Sequence, residues 1–402
     1  MKSKISKAVS QIPLSGIREM WKRAAEYDNF ISLGIGEPDF NTPKEICNQA
    51  LQDAIRGATH YTQSQGDPEL IQAIQLYLHE RLGEDFSTGQ IVVITGGVGG
   101  LTSFFRTVLD PGDEVLLPEP YFPPYRHNIE WVGGKVVHVK THFENGFVPT
   151  PEALEAAITP STKVLLLNSP NNPTGALIPA ETLDSIAQIV LQRDLLVLSD
   201  EVYERLLFDG RTHESIWKRP GMKERTVVVH SFSKSFAMTG WRIGYAFGPE
   251  WLVESMIKVV SSTTSCAPSV SQRAAVAALG LDAEVIDAMV EEFRVRRDQA
   301  YEVLEQLPGV RLHKPGGTFY MFPDISRITQ DSRQFALDLL EEEQVVVVPG
   351  EAFGPSGKGC VRIALTVNQE VLKEALERIH RFIKKISCNS SATKALRHKE
   401  GI

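Results

Sequence analysis

Thr226-Val-Val-Val-His-Ser-Phe-Ser-Lys-Ser-Phe-Ala-Met-Thr-Gly-Trp-Arg242 is the stretch from which the rest of the chain can be read. Its first five residues, Thr226 to His230, are apolar and β-branched enough to predict a short buried strand. Lys234 then falls on the loop leaving that strand's carboxyl end, where open α/β sheets place ligand chemistry. Ser231 and Ser233 flank the lysine, and Arg242 follows eight residues after it. A lysine so placed can form a Schiff base with an aldehyde, while serine hydroxyls and an arginine can hold a phosphate dianion. Alone, such a run is equally an ordinary solvated loop.

Working outward, β-branched runs alternate with helical patterns from about residue 90. Strands are expected at Ile91–Thr95, Glu114–Leu117, Lys135–Val139, Lys163–Asn168, Leu195–Ser199, Thr226–His230 and Ile243–Phe247. Helical stretches such as Leu101–Leu109 and Ala180–Gln192 lie between them. That alternation predicts an α/β fold with a doubly wound, mostly parallel sheet. Val285–Leu307 has the period of a long amphipathic helix, stopped by Pro308-Gly309. Beyond it the rhythm changes: strands at Gly317–Phe322, Val345–Val348 and Val361–Leu365, a helix at Arg333–Glu343 and another to about residue 386 predict a smaller α+β unit. The expected divisions are residues 1–45 as an N-terminal arm and part of the small domain, 46–285 as the large domain, 286–386 as the small domain, and 387–402 as a disordered polar tail.

With 402 residues, 42% of them apolar, the chain can bury a large core. Its 42 basic and 50 acidic residues give a net charge of −8 and no basic stripe, which argues against nucleic acid or an anionic membrane as partner. No window is apolar enough to span a membrane, and the basic N-terminus lacks the apolar core of a signal peptide. Cys47, Cys266, Cys360 and Cys388 are scattered, as expected for free thiols in a reducing cytoplasm. The histidines show no metal spacing. His138 and His142 straddle a strand end and are expected at the solvated surface, so no metal is expected.

Four loops follow predicted strands. Thr95-Gly-Gly-Val-Gly-Gly100 would let backbone N–H groups and a helix N-terminus approach a phosphate. A dinucleotide site is the competing reading, with Glu119 as its acid, but the GxGxxG spacing is absent because Thr102 stands at the sixth position from Gly97. Ser169-Pro-Asn-Asn-Pro-Thr-Gly175 sets Asn172 between prolines, either aimed at a ligand oxygen or simply forming a turn. Asp200-Glu-Val-Tyr203 puts a carboxylate at a strand end, where it can pair with a protonated pyridine nitrogen or cap a helix. The Lys234 loop is the fourth. One shared ligand, pyridoxal 5′-phosphate, accounts for all four at once.

NSPNNPTG, SDEVYE and SFSKSFAMTGWRIG, with the early LGIGEPDF and the late VRIAL, resemble the class I/II pyridoxal-phosphate aminotransferases of fold type I, nearest their aspartate/aromatic branch. The likeness runs from about Ile31 to Ile383. It implies that Lys234 is the Schiff-base lysine and the base that moves the substrate proton, and that Asp200 holds the pyridine nitrogen. It implies that Asn172 and Tyr203 flank the phenolic oxygen, and that Ser231, Ser233, Arg242 and the backbone at Val98 and Gly99 hold the phosphate. Tyr61 would reach the phosphate of a neighbouring subunit, which implies a homodimer. Phe122 would stack on the ring, although it is equally a core aromatic. Arg362 would clamp the substrate α-carboxylate, with Gly36, Asn172 and Phe122 also at the substrate. Many relatives carry Lys, Ser or Thr where Gly99 and Gly100 stand, and some use such a lysine for a second carboxylate. Its absence argues against an aspartate-specific site.

The expected activity is amino-group transfer between an L-amino acid, neutral or aromatic, and a 2-oxo acid such as 2-oxoglutarate. A β-C–S lyase shares nearly every cofactor residue and differs in its products. A nicotinamide-dependent dehydrogenase and a non-catalytic cofactor sensor are more distant alternatives. Ile12, Leu14 and Ile17 could form an apolar lid over a substrate side chain or pack a dimer.

Overall fold

A computed structural model describes residues 4–10 and 16–399. After the short strand β1 (Ile31–Ser32), seven strands build the central sheet: β2 (Ile91–Ile94), β3 (Glu114–Pro118), β4 (Lys135–Val139), β5 (Thr162–Asn168), β6 (Leu196–Asp200), β7 (Thr226–Ser231) and β8 (Gly244–Phe247). Their order is β2-β8-β7-β6-β5-β3-β4. Neighbours are parallel except β8, which is antiparallel to both β7 and β2. The inner strands read as unbroken apolar runs because helices cover both faces. Val227, Val228 and Val229 are each 0% exposed, and such burial contributes about 1.5–3 kcal/mol per side chain.

One face packs Leu101, Phe104 and Phe105 of the helix Gly96–Val108 with Leu252 and Met256 of the helix Glu250–Thr263. The other carries Leu183, Ile186 and Val190 of the helix Ala180–Gln192. A further cluster surrounds β9 (Tyr320–Met321), β10 (Val345–Val346), β11 (Val348–Pro349) and β12 (Val361–Ala364). Here β12 is antiparallel to β11 and β9, while β10 pairs in parallel with β1. The N-terminal segment is thereby tied to the C-terminal part of the chain.

Several elements differ from expectation. The expected strand Gly317–Phe322 shrinks to β9, because Thr318 takes a left-handed φ of 64° that ends extended pairing. The run Val345–Val348 divides at Val347 between two sheets. The helix expected at Leu101 begins five residues earlier, at Gly96, inside the glycine loop itself. The last helix, Gln369–Lys399, continues through most of the stretch expected as a disordered tail. No helix of the described residues is long and apolar enough to cross a membrane. Cys47, Cys266 and Cys360 are free thiols. Ile12 and Leu14 lie outside the described residues.

Candidate active site

The register of the sheet assembles the site. Asn168 pairs with Asp200 at the ends of β5 and β6, and Ser231 and Ile94 both pair with Gly244. The carboxyl ends of β2, β5, β6 and β7 therefore share one edge with the start of β8. At that edge lies a cleft of about 990 Å³, its open mouth included. Among its lining residues are Gly36, Val98, Phe122, Asn172, Asp200, Tyr203, Ser231, Ser233, Lys234, Arg242 and Arg362, so the structure brings together nearly all of the residues singled out from the sequence.

Lys234 lies within a Ser231-capped helical turn, Phe232–Ser235. Ser231 Oγ accepts the Ser233 N–H at 3.2 Å and donates to Ser233 Oγ at 2.9 Å. Lys234 Nζ donates to Gly36 O at 2.5 Å. Burial pushes its ammonium pKa down to about 8; Arg362 and Arg242 add to the effect and Glu37 opposes it. A large fraction of the amine is thus neutral near pH 8, as a nucleophile or base requires.

The helix Gly96–Val108 points its N-terminus into the cleft with no side chain capping it. Gly97 and Val98 line the cleft, whereas Gly99 does not; its carbonyl accepts from Ser103 Oγ at 2.8 Å. Open N–H groups at a helix N-terminus suit a phosphate. Arg242 completes that end, held by a left-handed φ of 53° and a 2.7 Å bond from Nη1 to Thr239 O. Gly96 makes room for it: a Cβ there would lie 2.5 Å from Arg242 Nη2.

Asp200, also in the lining of the cleft, is buried. Its Oδ2 accepts from Tyr125 Oη at 2.7 Å and its Oδ1 from the Val202 N–H at 3.2 Å. Burial raises its pKa to about 6. Phe122 meets Tyr125 edge to face, with ring centroids 5.6 Å apart. Tyr203 Oη lies 3.1 Å from Tyr320 Oη, and burial keeps both phenols protonated well beyond neutral pH.

Arg362 is 1% exposed and sits between the rings of Tyr320 and Phe353, 4.5 and 4.7 Å from their centroids. Nη1 donates to Asn172 Oδ1 at 3.0 Å and Nη2 to Gly34 O at 2.7 Å. Its Nε is buried without a hydrogen-bond partner, a donor left for an incoming anion. A Cβ on Gly36 would lie 2.0 Å from Tyr320 Oη, so only glycine fits there.

Tyr61 is not part of this cleft. It is 88% exposed and borders a separate hollow with His60, Cys266 and Pro268. Glu119, weighed as a dinucleotide acid, instead accepts from Ser356 N–H at 2.7 Å and lies 2.6 Å from His138 Nδ1. Gly97, Tyr125, Tyr320, Glu37 and Thr239 also line the cleft, beyond the residues singled out from the sequence. Tyr125 had a signal, since it lies three residues beyond Phe122 at the start of a helix, whereas Tyr320 meets Tyr203 across 117 residues and had none.

The donor set fits a phosphorylated pyridine aldehyde: a buried amine of lowered pKa, a buried carboxylate in the same cleft as a helix N-terminus and an arginine suited to a phosphate, and a glycine that leaves room for that arginine. Known proteins resemble this chain over nearly its whole length. The aspartate aminotransferase of Bacillus subtilis is 39% identical over 96% of this chain and all of that protein. Aromatic-amino-acid aminotransferase 2 of Thermococcus litoralis is 38% identical over 94% of this chain and 98% of its own length. The crystal structure of the aspartate aminotransferase from Rhizobium meliloti superposes with a TM-score of 0.91 at 37% identity, covering 94% of this chain and 98% of that one. The family model for aminotransferase class I and II matches residues 28–379, and the chain belongs to that family.

Proposed function

We propose that this aminotransferase moves the amino group of an L-amino acid with a neutral, preferentially aromatic, side chain onto a 2-oxo acid such as 2-oxoglutarate, working as a cytoplasmic homodimer. The observation that carries the substrate class is the charge inventory of the cleft. Its lining holds three cations, Lys234, Arg242 and Arg362, and two carboxylates, Asp200 and Glu37. Amine chemistry, a phosphate and the α-carboxylate occupy the three cations in turn. Among the described lining residues of this chain no fourth cation is present, so a second carboxylate such as that of 2-oxoglutarate would need a cation from outside this lining. Ile35, Val98, Leu101, Phe122 and Tyr320 offer a neutral donor side chain apolar and aromatic walls.

The cofactor of this class, pyridoxal 5′-phosphate, supplies an aldehyde and an electron-withdrawing ring when bound. Gly97 and Val98 N–H, Ser231, Ser233 and Arg242 would hold its phosphate, Asp200 its ring nitrogen, and Asn172 and Tyr203 its phenolic oxygen. The Arg362 guanidinium would take the substrate carboxylate along one edge, through the unpartnered Nε and one Nη, fixing which Cα bond faces Lys234. Lys234 Nζ, neutral in part at physiological pH, would take the Cα proton and deliver it to the carbon that carried the cofactor's aldehyde. The dimer finds support in Tyr61, an exposed tyrosine outside its own cleft that is free to reach a neighbour's.

Visible absorbance of the loaded protein tests this directly. A yellow band should bleach on adding an aromatic or other neutral amino acid and return with 2-oxoglutarate. Pyruvate and ammonia released without an acceptor would identify an eliminating lyase instead. Lys234→Ala should remove turnover while the protein stays folded and dimeric; near-normal rates would refute the assignment of Lys234.

A further inference from the structure

We propose that Tyr125 is a positioning residue for cofactor binding: its phenol holds the Asp200 carboxylate ionised and oriented toward the pyridine nitrogen. This rests on the cofactor placement given above. Three observations support it. First, Tyr125 Oη donates to Asp200 Oδ2 at 2.7 Å, with Tyr125 1% and Asp200 5% exposed. It is the one side-chain donor to that carboxylate among the described residues; the other contact is the Val202 N–H. Second, Tyr125 opens the helix Pro124–Trp131, its N–H bonds to Phe122 O at 3.0 Å, and its ring meets Phe122 at 84°. One turn of chain therefore fixes both the ring-stacking residue and the support of the acid. Third, burial and the neighbouring Asp200 charge keep this phenol protonated, so it remains a donor across the working pH range.

The charges around Asp200 show why a donor is needed. Burial and Glu201, next in sequence, favour the neutral acid, while Tyr125 and Lys234 favour the carboxylate; Tyr203 also lies close. With its pKa at about 6, the unloaded Asp200 is ionised at neutral pH by only a modest margin. A neutral acid could not pair with a pyridinium, so apparent cofactor affinity scales with the ionised fraction. Removing the phenol raises the Asp200 pKa and erodes that fraction near pH 7. Affinity should then fall with acidification at a higher pH than in the unaltered protein.

The test uses cofactor-stripped full-length protein titrated with pyridoxal 5′-phosphate across roughly pH 5 to 8, which brackets the carboxylate's transition. Tyr125→Phe, which keeps the ring, should weaken binding at neutral pH about tenfold and raise the acid midpoint by about one pH unit, as loss of one charge-assisted hydrogen bond implies. In an Asp200→Asn background, which has no carboxylate to hold, Tyr125→Phe should add nothing further. A Tyr125→Phe protein with unchanged affinity and midpoint would overturn the proposal. So would a tenfold loss that persists in the Asp200→Asn background, because Tyr125 would then act on packing alone. Failure of the unaltered protein to bind the cofactor would instead refute the cofactor placement itself.

Discussion

Lys234→Met should stabilise the unloaded protein. The folded site holds the ammonium pKa at about 8 against an ordinary 10.5, so burying the charged amine costs stability. Between those two values the unfolded chain binds a proton that the folded chain has released, and stability therefore rises with pH across that window. Below pH 8 the cost is fully present; above 10.5 it is gone. A shift of this size corresponds to about 3 kcal/mol as an upper bound. The side chain is partly open to the cleft, and methionine forfeits the bond to Gly36 O, worth about 1 kcal/mol. The expected net gain is therefore about 1–2 kcal/mol at pH 7. Urea unfolding of both proteins without cofactor, at one fixed protein concentration, at pH 7 and again near pH 10, reads it out. The variant's advantage should shrink as pH rises, because the native lysine loses its charge in the folded state. A variant less stable at pH 7, or an advantage independent of pH, would refute the idea that the buried amine is a source of instability held for chemistry.

Three further substitutions probe other parts of the cleft. Arg362→Leu removes the cation and leaves Asn172 Oδ1 and Gly34 O without their donor; KM for every amino acid donor should rise about a hundredfold or more, and a normal KM would remove Arg362 from the carboxylate site. Gly96→Ala sets a Cβ 2.5 Å from Arg242 Nη2 at a φ of +69°, so cofactor affinity should drop sharply, and unaltered affinity would show that Arg242 does not hold the phosphate. Gly99→Ala meets only ordinary contact, at 3.5 Å from Thr95 Cβ, so it should leave affinity intact and add about 0.4–1 kcal/mol of stability in a denaturant titration; a loss of affinity would return Gly99 to the phosphate cradle.

The parts of this site legible in the sequence are those whose chemistry and position coincide. Lys234, Asp200 and Asn172 each follow a run of β-branched or aliphatic residues, and a strand end is a place that periodicity can locate. Arg362 lies inside β12, where only its membership in a family motif marked it out. Tyr320 shows the opposite case. Its partners Tyr203, Arg362 and Gly36 come from three other segments, and the feature that lets its hydroxyl in is the missing Cβ of Gly36, which no local pattern announces. Gly97 and Val98, rather than Gly99, line the cleft for a related reason. The helix begins at Gly96 rather than Leu101, because a glycine at a φ of +69° starts the turn that the sequence pattern left as loop. The free N–H groups at the cleft therefore belong to Gly97 and Val98.

Strand direction was the other feature that pattern could not supply, and it decides the site. Ser231 and Gly244 face each other across an antiparallel pair, so the residues between β7 and β8 leave and re-enter the sheet at the same edge. A parallel β8 would need a crossover to the far edge, and Arg242, two residues before it, would emerge at the amino ends of the strands, away from Lys234. The reversal is thus the condition for one short connection to place Lys234 and Arg242 in one cleft. Close packing at the join shows how tightly it is made. A Cβ on Gly244 would lie 2.6 Å from His230 O and 3.4 Å from the Gly96 backbone, so β8 can approach β7 and the glycine loop together only without a side chain there. Three glycines, Gly36, Gly96 and Gly244, thereby set the spacing of groups that carry no chemistry of their own sequence neighbourhood in common. The functional side chains are held in place by side chains that are absent.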